Sequence, residues 1–190
     1  MAFSWNRVLL DQLDFAWNDQ FMPRMAGLSD DEYFWEPVAG CWSVRPTEGG
    51  RYAMDAPVGR IERSAAPFTT IAWRLGHIAT FFGERASNHF GDGTFSAAAI
   101  DWPATADSAI AMVEREYRRW REGVQALGED GLLRPCGPAE GPFSDDPLAD
   151  LVLHINREFL HHAAEVAMLR DLYRDTVAKG ALILNSPAHS

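Results

Sequence analysis

The segment EFLHHAAEVAMLRDLYRD, Glu158 to Asp175, has the composition of a strong helix, yet it carries two adjacent histidines and two glutamates where a plain core helix carries leucines. With His154 set at zero and an advance of about 100° per residue, Glu158 falls at about 40°, His161 at about −20°, Glu165 at about 20° and His162 at about 80°. The apolar residues Leu151, Ile155, Phe159, Val166 and Leu169 fall between roughly 60° and 140° on the same wheel. His162 therefore lies inside the apolar stripe, Glu158 at its margin, and His154 and His161 further out. A His and a Glu drawn toward a core cost free energy unless they are paired or bound to a cation. Being four apart, Glu158 and His162 project together from successive turns, the reach needed to hold one metal ion from a single helix. The same spacing also serves an ordinary ion pair on a helix face.

Two ligands do not close a site, so a third must come from another helix. His77, in TIAWRLGHIATFF, is the best donor. It lies off the stripe made by Ile71, Leu75, Ile78 and Phe82 and is flanked by Trp73 and Phe81, which places it toward a second packing seam. Taken alone, such a His is also a hydrogen-bonded core or surface residue. Other chemistry is poorly served. Gly91-Asp92-Gly93 is a turn without phosphate-loop spacing, no serine sits in a nucleophile elbow, and no Cys-x-x-Cys pair occurs. Asp145 and Asp146 read as caps of the last helix, and His89 and His189 as surface residues. Cys41 and Cys136 read as free thiols.

Apolar residues at spacings of three and four predict helices over about 5–25, 67–89, 105–127 and 147–177. Pro67 suits a first helical turn, and Gly27, Gly91, Gly128 and Gly180 supply the stops; Ser29 and the acids after it predict a short capped turn. No stretch alternates with period two well enough to predict a strand. Four amphipathic helices without strands predict an all-α four-helix bundle, a single domain over 1–190. The connections are unusual. Residues 36–66 and 128–146 are loops far longer than ordinary helix connections, and loops of that length are commonly functional lids or disordered. Trp42 and Val44 argue that the first half of 36–66 is packed, whereas its second half looks looser. The stretch from Phe90 to Ala104 is long enough to carry the chain across the bundle between parallel helices.

The whole chain of 190 residues is long enough to bury roughly 70% of its unfolded surface without staples. Apolar residues at 47% and charged residues at 23% exclude a mainly disordered protein. A net charge of −10 with no basic stripe argues against nucleic acid or an anionic membrane as partner. Arg115, Arg118, Arg119 and Arg121 interleave with Glu114, Glu116 and Glu122 and read as a solvated helix face. No apolar run reaches membrane-spanning length, and the amphipathic N-terminus, which contains acids, is unlike a signal sequence, so a cytoplasmic location is expected.

With these residues in place, the chain resembles the DinB-like superfamily of bacterial helical bundles. That group includes YfiT-type metal-dependent hydrolases and the transferases and maleylpyruvate isomerases that use mycothiol or bacillithiol. WRLGHI, Trp73 to Ile78, and EFLHHAAEV with the following LRDLY carry the resemblance, helped by FWEPVAGCWSVRP. It implies an up-down-down-up four-helix bundle with a long connection between helices 2 and 3. It also implies a metal held by one His of the second helix, here His77, and by two of the last helix, four residues apart. The second of those becomes His162; the first falls on Glu158, a departure from the family pattern. His161 and Glu165 are the alternative or supporting ligands, with Glu165 placed to orient a neighbouring imidazole.

A two-His, one-carboxylate set binds zinc or nickel first, with manganese and ferrous iron also served by these ligands. The expected activity is that of a metal-dependent hydrolase, or of a transferase using a low-molecular-weight thiol such as bacillithiol or mycothiol, on a small electrophilic substrate. Trp35, Trp42 and Arg45 from the long loop, with Trp73, would line or cover the mouth of the site. The alternative is a non-catalytic, stress-associated binding protein in which the same His and Glu residues form a metal-free hydrogen-bond network. A homodimer through a helix face, as in the superfamily, is the expected assembly.

Overall fold

Ser4 starts the first helix: its hydroxyl accepts the Arg7 amide at 3.2 Å, and α1 follows over Trp5–Phe15. The helical path continues through a π-helical stretch at Ala16–Phe21 into α2, Met22–Met25, so the predicted 5–25 helix is one path with a wider middle. Ser29 caps the short α3, Asp30–Tyr33. Beyond two brief strands come α4 (Ile71–Phe90), α5 (Ala106–Leu132) and α6 (Leu148–Tyr173). The computed structural model describes residues 3–55 and 68–178, and over these the chain is predominantly helical.

Contacts across the core give the helix directions. Asn6 Nδ2 donates to Val124 O at 2.7 Å, and Asp14 accepts from Tyr117 and Arg121, so α1 and α5 run antiparallel. Phe82 faces Tyr117 and Phe90 faces Trp120, which sets α4 parallel to α5. Asn156 reaches Leu9 O while Arg24 reaches Ala167 O, so α6 runs parallel to α1. Between them lies an aromatic core: Trp17 stacks on Tyr117 at 3.8 Å, and Phe21, Phe82 and Phe159 close around it. Burying each such ring contributes roughly 1.5–3 kcal/mol. The segment 91–104, which includes a single 3-10 turn at Ala97–Ala99, leads from α4 to its parallel neighbour α5.

Several expectations need correction. The loop 36–66 contains a small antiparallel hairpin, β1 (Val44–Pro46) and β2 (Tyr52–Met54), in which Val44 pairs with Met54. Strands of three residues are too short to display an alternation. The second half of that loop was expected to be looser, yet its described part, 47–55, carries β2; residues 56–67, with Pro67, lie outside the described residues, as does His189. The cap of α4 is Thr70, whose hydroxyl accepts the Trp73 amide at 3.2 Å. Helix α5 does not stop at Gly128: that residue takes φ 61°, kinks the path, and the helix resumes to Leu132. Neither Asp145 nor Asp146 caps α6; Pro147 occupies that position without a side-chain bond. Nor is the arginine-rich stretch wholly solvated, because Glu116 is buried between Arg115 and Arg119. Cys41 and Cys136 are free thiols. Among the described residues no helix is long and apolar enough to cross a membrane.

Candidate metal centre

Trp73, Arg74, His77 and Phe81 recur on α4 at spacings that keep them on one side, facing α6. The His77 ring stacks on Trp73 at 5.2 Å and 16° and is met edge-on by Phe81 at 5.7 Å. That sandwich leaves the imidazole little freedom and aims Nε2 at the neighbouring helix. There it stands 3.1 Å from His162 Nε2, and Arg74 Nε stands 3.0 Å from Glu165 Oε2. Position 77 pairs with 162 and 74 with 165, so α4 and α6 are antiparallel.

His162 is buried, and the hydrogen bond from its Nδ1–H to Glu165 Oε2, at 2.6 Å, fixes its tautomer. Arg74 Nη1 also lies 3.4 Å from His162 Nδ1. Both groups carry hydrogens there, so no bond forms between them and the Glu165 carboxylate serves both. The Nε2 lone pair of His162 is thereby left facing His77. Burial pushes the Glu165 carboxyl upward, but the hydrogen bond from His162 and the charge of Arg74 outweigh it and hold the group below its ordinary range. Burial depresses the His77 imidazole to about 3, helped by the charges of His162 and Arg74 and opposed by Glu165. His77 is consequently neutral near pH 7, the form in which an imidazole binds a metal.

Glu158 supplies the third group. One carboxylate oxygen, Oε2, lies 3.6 Å from His162 Nε2, and the ligand atoms of His77, Glu158 and His162 all lie within 4.8 Å of one another. Their geometry fits a cation. With metal–nitrogen distances of about 2.05 Å, two imidazole nitrogens sit about 2.9 Å apart at a right angle and about 3.3 Å apart at a tetrahedral angle. The observed 3.1 Å lies between. His77 Nδ1 is buried and has no hydrogen-bond partner among the described residues. If the His77 proton sits on Nδ1, both Nε2 lone pairs converge on one point, where a cation satisfies them.

A second grouping, His161, His162 and Glu165, is equally close. Here, however, His162 Nδ1 is already engaged by Glu165, and His161 stands largely in solvent with its Nε2 3.4 Å from Glu165 Oε1. Glu165 thus touches the ring of His162 on the side away from His77 and orients it.

The residues read as pocket or lid are spread along the seam. Trp73 stacks on His77 and donates its indole N–H to Asp55 O at 2.9 Å. Trp42 lies 5.6 Å from Trp73 and is bridged by its backbone to Phe68 and Thr70, one layer further out. Arg45 joins Glu36, Asp55 and Cys41 O and ties the hairpin to the preceding loop. Trp35 packs on Tyr173, about three turns along α6 from His162.

Spacing alone did not reveal Arg74, although it lies three residues before His77 and so shares its face. His89 is not a surface residue: its side chain is 5% exposed and its Nε2 is 2.9 Å from the buried Glu140. That pairing joins α4 to the loop before α6, a contact no local pattern encodes.

No curated protein and no solved structure gives a significant match to this chain. The family model described as the DinB superfamily matches residues 12–166, from within α1 to beyond Glu165 on α6 and including His77, Glu158 and His162. Since the match covers most of the sequence, the chain belongs to the DinB superfamily.

Proposed function

We propose that this protein is a metal-dependent enzyme of the DinB superfamily, with His77, Glu158 and His162 holding a divalent cation, zinc or nickel in preference to manganese or iron. The observation that carries the reading is the convergence of two imidazole Nε2 atoms from antiparallel helices at 3.1 Å, with a carboxylate oxygen beside them. The helix directions described above support an up-down-down-up four-helix bundle as the frame. A cation bound there supplies Lewis acidity, making a water or a thiol nucleophilic near neutral pH. The reaction class we favour is hydrolysis, or transfer of a low-molecular-weight thiol, on a small electrophilic substrate.

The chain's own groups have definite parts in this reading. Trp73 and Phe81 hold the His77 ring in place and exclude water from its buried edge. Glu165 keeps the His162 proton on Nδ1, leaving Nε2 free to ligate. Arg74 balances the charge of Glu165 inside the seam. Glu158, about a third exposed where His162 is buried, marks the side from which a substrate enters.

A second reading has its own observation: 3.1 Å is also a hydrogen-bond length, so a proton on His77 Nε2 would join His77, His162 and Glu165 in a metal-free network. Elemental analysis of untagged protein separates the two. The proposal expects close to one cation per chain, lost in both His77→Ala and His162→Ala, with the far-UV helical signal kept. Full metal retained in both variants, or none in the native protein, would leave the network as the explanation.

A further inference from the structure

A pocket of about 490 Å³ lies beside the candidate centre, between the N-terminal half of α6, the loop before it and the last turns of α4. Its size is that of a small-molecule site. Glu158 separates the two places. Its Oε2 faces His162, while its Oε1 lies 3.8 Å from both His154 Nδ1 and Arg157 Nε, which line the pocket.

Charges on the pocket wall are not equally engaged. Arg85 is matched by Glu84 and Glu140, and Glu140 is also matched by His89. Asp146 and Asp150 have no side-chain hydrogen bond or ion pair among the described residues, and neither caps the helix. Asp146 lies one residue before the N-cap Pro147 and Asp150 in the first turn of α6, so two carboxylates line the pocket near the start of the helix. Their field reaches the neighbouring Cys136 thiol, which burial raises first and the carboxylates of Glu140, Asp146 and Asp150 raise further.

The other end is cationic. Arg157 follows Asp150 by seven residues, about 10 Å along the same side of the helix. Its Nη2 donates to His154 Nδ1 at 2.6 Å, so His154 keeps its proton on Nε2 as a further donor, and the Arg157 side chain is 70% exposed. Phe143 and Leu151, which also line the pocket, offer apolar surface.

We propose that this pocket binds a small amphoteric molecule, with its ammonium on Asp146 and Asp150, its carboxylate on Arg157 and His154, and an apolar body against Phe143 and Leu151. The proposal does not require a metal in the neighbouring centre. Both charged ends are needed, because either alone leaves the opposite end of the pocket unmatched.

Calorimetric or NMR titration of the purified full-length protein tests this with 6-aminohexanoate, whose charges are held apart by a methylene chain, against hexylamine and hexanoate. The expected result is a Kd for 6-aminohexanoate at least tenfold below that of either singly charged probe. Asp150→Asn should remove the advantage over hexanoate, and Arg157→Gln the advantage over hexylamine. Both side chains are at the surface, so the fold should persist, and a far-UV spectrum checks it. Equal affinities for the three probes, no saturable binding of 6-aminohexanoate, or wild-type affinity in both variants would each overturn the proposal.

Discussion

Glu165 and Arg74 stand behind the side of His162 that faces His77, and of the two only Glu165 was read from sequence, as a group orienting a neighbouring imidazole. A His inside an apolar stripe, with a Glu four residues before it at the margin, already conflicts with a plain core, so Glu158 and His162 stood out; Arg74 did not, since its partner lies on another helix. Replacing Glu165 by Gln keeps its volume but weakens its hold on the Nδ1–H and on Arg74. Metal affinity measured by chelator competition is expected to fall about 10- to 100-fold with helicity unchanged. The neutral state of His77 has a second consequence, seen in metal-free protein. Its value of about 3 in the folded chain lies below the 6.5 of an unstrained imidazole, so between these limits the unfolded chain binds the extra proton. Stability therefore rises with pH over that window, and acidification from pH 7 to 5 removes up to about 2 kcal/mol through this group. Urea midpoints at the two pH values should differ less in His77→Phe than in wild type. An identical drop in both would show that His77 is not held neutral.

Among the elements, the long helices were legible because four amphipathic patterns of sufficient length have few other solutions, while their ends were less so. Pro67 drew the predicted start of α4 ahead of Thr70, and Gly128 was read as a stop although the helix continues past its kink. The hairpin Val44–Pro46 with Tyr52–Met54 left no periodic trace because its partners come from two turns of a loop. Helix contact explains one glycine that pattern reading passes over. At Gly123 in α5 an added Cβ would lie 2.0 Å from the Phe90 ring of α4. Gly to Ala inside a helix ordinarily stabilises by about 1 kcal/mol, whereas here crowding should reverse the sign and cost about 1–3 kcal/mol. Equilibrium urea unfolding of Gly123→Ala checks the direction; a gain would mean that Phe90 swings aside freely.

For the whole molecule, α6 presents Leu153, Leu160 and Met168 to solvent on the side turned away from His162, each about half exposed or more. They are the face through which the homodimer expected from the family resemblance is proposed to form. Sedimentation equilibrium should then show a dimer that Leu153→Lys with Leu160→Lys converts to monomer, while a monomeric wild type at all concentrations would dismiss that assembly. The loop before α6 was legible in the sequence, but its pairing with α4 was not, because Glu140 meets Arg85 and His89 from about fifty residues away. Glu158, with one oxygen toward each of the two proposed sites, would link them thermodynamically. An ion that drew this carboxylate toward the imidazoles would take it from Arg157, so occupancy on one side would alter affinity on the other, and by reciprocity the factor would be the same in both directions.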